Sequence, residues 1–133
     1  MPLMIEIKSG DKLIINGAVI ENTGSNTKLL IHNQVSILRQ KEVMSEEDSV
    51  TPAARVYFAL QCAYIFPHKK TQYLTSFDEY VRQFADASQS STPIISKIIK
   101  EVRDDRLYQA LKAAQELLKH EKELMDLVGK APA

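Results

Sequence analysis

The first 44 residues hold five short β segments separated by turn-forming residues, and from Thr51 onward the chain reads as helix. The segments are 4–8, 12–15, 18–21, 28–32 and 34–39. Ser9-Gly10-Asp11, Asn16-Gly17, the run Asn22 to Asn26, and Asn33 punctuate them. Asn16-Gly17 is the sharpest signal, because both residues tolerate the positive φ of a two-residue hairpin turn. Ile5 and Ile7, Leu13 and Ile15, Leu29 and Ile31, and Val35 and Ile37 recur at period two, which predicts one buried face on each strand. Leu13-Ile14-Ile15 and Leu29-Leu30-Ile31 are apolar on both faces, which places those strands in the middle of a sheet or under helices. An all-β unit this small points to recognition rather than catalysis.

The acidic run 45–51 reads as a linker. Thr51-Pro52 matches an N-cap followed by proline at the first helical position. The helix it opens runs to Phe66 before Pro67 and is apolar nearly all round, so it belongs at the centre of a core. His68-Lys69-Lys70 reads as a basic loop. Ser76-Phe77-Asp78-Glu79 fits a capping box opening a second helix, with Phe77, Tyr80, Val81 and Phe84 on one face. Thr92-Pro93 repeats the cap-plus-proline start, and a break is expected near Arg103–Arg106. Leu107, Leu111, Ala114, Leu118, Met125 and Val128 form an apolar stripe interrupted by Glu121. Gly129 is expected to end it, leaving Lys130 to Ala133 as a frayed tail. The fold class is therefore α+β. A five-stranded antiparallel β module (1–44) is followed by a linker (45–51) and a three- to four-helix bundle (52–133).

Lys and Arg number 17 and so do Asp and Glu, so the chain carries no net charge and is not broadly basic. The lone Cys62 forbids an internal disulfide, fits a reducing cytoplasm and reads as a buried inert thiol. No signal peptide or membrane-length apolar run is visible. His32, His68 and His120 lie far from metal-ligand spacing, and Asp104-Asp105 reads as solvated surface. There is no phosphate-cradling loop and no nucleophile elbow. The chain is read as a non-enzyme, without metal or cofactor. In the β module Lys8, Lys12, Lys28, Arg39 and Lys41 face nearly as many carboxylates, and their plain reading is mixed surface. The sharper reading takes Lys8 and Arg39 as the ends of two strands that pair, forming a cationic edge for phosphates. Lys12 and Lys41, and Lys69 and Lys70 in the basic loop, join them as candidates.

Two resemblances bear on this. The runs 13–22, 30–34 and 51–61 (Leu-Ile-Ile-Asn-Gly-Ala-Val-Ile-Glu-Asn, Leu-Ile-His-Asn-Gln and Thr-Pro-Ala-Ala-Arg-Val-Tyr-Phe-Ala-Leu-Gln) look like the flagellar biosynthesis regulator family FlbT, over Pro2 to about Phe84. That resemblance implies a cytoplasmic post-transcriptional regulator of flagellin. It would associate with the 5′ untranslated region of flagellin mRNA and promote its degradation, though some family members act positively. Leu3 to Asn16 and Val35 to Lys41 resemble the carbon storage regulator CsrA, an RNA-binding dimer that interleaves strands. In that family the first and last strands contact RNA, and Arg39 falls on its RNA-contacting arginine. Lys8 falls near its first-strand basic residues, with Ile7 in one of those places. Asn33-Gln34 gives a tight turn in place of that family's RNA-binding loop. The partners implied are a flagellin mRNA leader and, through a homodimer, a second copy. The competing reading is an adaptor that binds flagellin or another flagellar regulator through its helices, without RNA contact.

Overall fold

A computed structural model describes residues 2–130. They form two compact units: 2–43 with Ile65–Pro67, and 44–64 with 68–130.

The first unit is the β module. Its strands are β1 (Leu3–Ile7), β2 (Lys12–Ile15), β3 (Ala18–Glu21), β4 (Thr27–Ile31) and β5 (Ile37–Arg39). They make two antiparallel sheets, β1–β4 and β3-β2-β5. Ile5, Ile7 and Leu13 form the shared core, with half-buried Ile15, Leu29, Ile31 and Ile37 packed on it. The period-two pattern sets this arrangement, because Leu3, Ile5 and Ile7 pair across from Ile31, Leu29 and Thr27 on one face. Asn16 (φ 50°) and Gly17 (φ 88°) form the left-handed turn of the β2–β3 hairpin.

Three strand expectations need correction. β3 is exposed at all four positions, so it has no buried face. β2 is central in its sheet, but β4 has only β1 beside it and leaves Leu30 exposed. β5 begins at Ile37, and 32–36 carry the chain from one sheet to the other, so Asn33-Gln34 is not a tight hairpin turn. Asn16 fixes that crossing segment: its N–H donates to the Ser36 carbonyl, and its Oδ1 accepts the Ser36 N–H, each at 2.9 Å.

The second unit is helical. The helices are α1 (Pro52–Ile65), α2 (Lys70–Ala87), α3 (Thr92–Arg103) and α4 (Leu107–Lys130). The segment before α1 is ordered. Ser45 Oγ accepts the Asp48 N–H at 3.2 Å, and the buried Gln61 amide holds both backbone groups of Met44. α1 starts as its sequence predicts, with Thr51 Oγ1 accepting the Ala54 N–H at 3.2 Å. A second, unforeseen cap is the buried Glu121, whose Oε2 accepts the Ala53 N–H at 2.8 Å. α1 buries Ala53, Val56, Tyr57, Leu60 and Ala63.

α2 starts at Lys70 rather than Ser76. No glycine or proline breaks 70–76, so the capping-box pattern lies inside a continuous helix, where Thr75 Oγ1 bonds back to the Thr71 carbonyl. α3 takes Ser91, not Thr92, as its N-cap. The break before α4 stands at Asp104–Arg106, with Asp105 at φ 57°. α4 buries Leu117 rather than Leu118, and it exposes Met125 and Val128. The helix runs through Gly129 to Lys130 instead of ending there, and 131–133 of the expected tail lie outside the described residues. No described helix is long and apolar enough to cross a membrane.

Candidate nucleic-acid interface

The β module carries an open groove of about 890 Å3. Lys8, Lys12, Arg39 and Lys41 line it with Glu6, Asp11 and Gln40, over a floor that includes Ile7 and Leu13. Cations outnumber carboxylates two to one on this wall, and no aromatic ring lines it.

Each cation is placed by a different device. Lys8 follows β1 in a turn whose Gly10 has φ 84°. The Asp11 carboxylate accepts the Lys8 N–H at 3.0 Å, and the Lys8 carbonyl accepts the Asp11 N–H at 3.0 Å. The Asn22 amide braces the turn, donating to the Ile7 carbonyl at 3.0 Å and to the Ser25 carbonyl at 2.9 Å. Lys12 opens β2 and lies 3.7 Å from Glu21, its partner across the hairpin. Both side chains are half exposed, so this ion pair leaves Lys12 largely available. Lys41 sits on the short 3-10 turn Gln40–Glu42 and is exposed.

Arg39 is tied down. Its N–H donates to Glu42 Oε1 at 3.1 Å, and its Nη1 donates to the Glu6 carbonyl at 3.2 Å. The strands carrying Lys8 and Arg39 do not pair as expected: β1 takes β4 and β5 takes β2. The apolar alternation of β1 matches β4, so the Arg39 side chain, not a backbone ladder, makes the link to β1.

The remaining candidates lie in the helical unit. Lys69 ends a 3-10 turn and is exposed. Lys70 is the first residue of α2 and forms an ion pair with Asp105, which is solvent-exposed as its sequence predicts. The groove residues missed from sequence are Glu6, Asp11 and Gln40. Gly10-Asp11 was the available signal, since a turn aspartate that bonds its neighbours' backbone also fixes where Lys8 and Lys12 stand.

Other reactive groups are sparse. Burial raises the Cys62 thiol above its ordinary pKa, and the charge of Glu46 adds to this, so the nucleophilic thiolate is disfavoured. His120 Nε2 lies 3.0 Å from Ser90 Oγ on exposed surface, and no carboxylate bonds its other ring nitrogen among the described residues. No group of three His, Cys, Asp or Glu among those residues is placed to hold a metal.

A family model described as flagellar protein FlbT matches residues 3–125. A Bradyrhizobium diazoefficiens protein described as probable flagellum biosynthesis repressor protein FlbT 1 is 39% identical over 125 residues, spanning 93% of this chain and 85% of that protein. A probable repressor of the same name from Rhodopseudomonas palustris is 30% identical over 94% of this chain and 98% of its own length. The flagellum biosynthesis repressor protein FlbT of Caulobacter vibrioides is 28% identical over 97% of this chain and 93% of its own length. No solved structure matches.

Proposed function

The chain belongs to the FlbT family of flagellar proteins, and from that premise we propose that it regulates flagellum synthesis after transcription. In this reading it acts in the cytoplasm, associating with the 5′ untranslated region of flagellin mRNA and promoting its degradation. The relatives' description as repressors supports a negative sign. The observation that carries RNA contact is the convergence of Lys8, Lys12, Arg39 and Lys41 on one groove. The groove has no aromatic lining to stack bases on, so phosphate contacts supply the affinity and any sequence reading falls to groups such as Gln40.

The test is binding of the purified full chain to its flagellin leader RNA across a salt series. Binding that weakens steeply with salt is expected. Lys8→Ala, Lys12→Ala and Lys41→Ala should each flatten the log–log slope by about 0.7, as for one single-strand phosphate contact. A salt-insensitive complex, or slopes unchanged in all three variants, removes the groove from the site.

A second reading is a protein adaptor for flagellin or another flagellar regulator. The zero net charge and the exposed Met125, Leu127 and Val128 in the helical unit favour it. A salt-tolerant complex with flagellin and no RNA binding would select it.

A further inference from the structure

Beyond the RNA reading, two features of the helical unit have no partner among the described residues of their own copy. The first is the end of α4. This helix has 24 residues against 12 in α3, so at 1.5 Å per residue it runs about 36 Å beside a neighbour of about 18 Å. A short turn joins the two antiparallel helices, and the far half of α4 therefore outruns α3. Past Glu121, Met125, Leu127 and Val128 are 53%, 66% and 76% exposed. At 100° per residue they share an arc with half-buried Leu124. Glu123 flanks the arc on one side and Lys122 on the other.

The second feature is a groove of about 550 Å3 between α2 and α3. Buried Phe77, Val81 and Ile95 form its floor, and half-buried Leu74, Ile99 and Val102 form its walls. Asp78 and Arg82 stand on the α2 rim and Arg103 on the α3 rim. All three are exposed, and none has an ion-pair partner among the described residues.

We propose that the α4 tip of one copy docks in the α2/α3 groove of a second copy. The match is in polarity: an apolar ridge flanked by Glu123 and Lys122 meets an apolar trough whose rim carries two guanidiniums, Arg82 and Arg103, and one carboxylate, Asp78. Glu123 pairs with Arg103 of the second copy, and Lys122 with its Asp78. The tip cannot reach its own groove, because α4 is continuous from Leu107 to Lys130 and leads away from α3. The docking mode is an amphipathic helix in an apolar groove, and docking in both directions closes the pair as a dimer.

Sedimentation velocity of the full chain over a concentration series tests this. A concentration-dependent dimer is expected. Met125→Asp in the tip and Arg103→Glu on the rim should each weaken it by about tenfold or more, because one charge is desolvated and the other meets a like charge. Combining Arg103→Glu with Glu123→Arg should restore association. Circular dichroism checks that each variant keeps its helices. A chain that stays monomeric at every concentration overturns the proposal, including where a flagellar protein is found to fill the groove instead. Dimers weakened by Met125→Asp but untouched by both Arg103→Glu and Ile99→Asp overturn it too, since the tips would then be pairing with each other.

Discussion

Glu121 offers the sharpest test of how the helical unit is held together. Its Oε2 accepts the Ala53 N–H at 2.8 Å, and the side chain is 9% exposed. Ala53 lies in the first turn of α1, where backbone N–H groups have no partner within the helix. Thr51 Oγ1 satisfies Ala54, and Glu121 alone serves Ala53. Glu121→Ala leaves that buried donor without an acceptor, at a cost of about 1–3 kcal/mol. It also removes an anion from the positive end of the α1 dipole, which adds about 0.3–1 kcal/mol. The expected loss is thus about 1–4 kcal/mol, or roughly 4–20 °C in melting temperature for a chain of this size. Glu121→Gln keeps an oxygen acceptor and loses only the charge, so it should cost about 1 kcal/mol. Exposed Gln115→Ala is the control and should stay within about 0.5 kcal/mol. Urea denaturation followed by circular dichroism gives all three values. If Glu121→Ala matches the control, the buried carboxylate does not cap α1, and the account of how α4 organises this unit fails.

Three further outcomes follow from the same structure. Gly17→Val should cost about 1–3 kcal/mol through left-handed strain, and a Cβ there would also lie 2.8 Å from the Phe66 ring; an unchanged melting temperature would contradict the turn. Leu60→Ala, at a side chain with 0% exposure, should cost about 2–5 kcal/mol by urea titration, and a loss below about 1 kcal/mol would place α1 outside the core. In RNA binding, Lys8→Ala should flatten the salt slope with folding intact, whereas Arg39→Ala should also lower stability by about 0.5–1.5 kcal/mol, because it loses its bond to the Glu6 carbonyl; a melting curve beside each titration separates the two effects.

The parts of the fold legible in the sequence were those set by near neighbours. Asn16-Gly17 fixes a hairpin whatever else the chain does, and Thr51-Pro52 starts α1 through contacts within one turn. What pairs with what was not legible. The division of five strands between two sheets depends on β1 meeting β4 and on β5 crossing to β2, and both contacts are distant in sequence. A local motif also misled: Ser76-Phe77-Asp78-Glu79 has the capping-box residues, yet nothing between Lys70 and Ser76 stops a helix, so α2 runs through it. The α4 stripe failed in a third way. Its period continues to Val128, but its last buried apolar residue is Leu117, and periodicity carries no information on the length of a neighbour. Glu121 looked like a flaw in that stripe because its partner, Ala53, is 68 residues away.

The candidate site divides along the same line. That Lys8, Lys12, Arg39 and Lys41 stand near turns and strand ends was readable; that they share one groove follows from sheet pairing and was not. Lys69 and Lys70 were grouped with them by charge alone. Lys70 pairs with Asp105 and is less exposed than Lys12 beside Glu21, so it offers less of its ammonium to a phosphate. The same reasoning reorders the groove itself. By residue type alone Arg39 is the strongest candidate, because a guanidinium can make two parallel bonds to a phosphate or base edge. In the folded module one of its nitrogens already holds the Glu6 carbonyl, and its own N–H holds Glu42. Engaging RNA through the whole fork would mean giving up the link to β1. Lys8 carries no such duty at its ammonium: its turn is fixed by backbone bonds to Asp11, which survive truncation of the side chain. On the RNA reading proposed above, the lysines carry the phosphate contacts, and Arg39 is the residue whose side chain bonds the Glu6 carbonyl of β1.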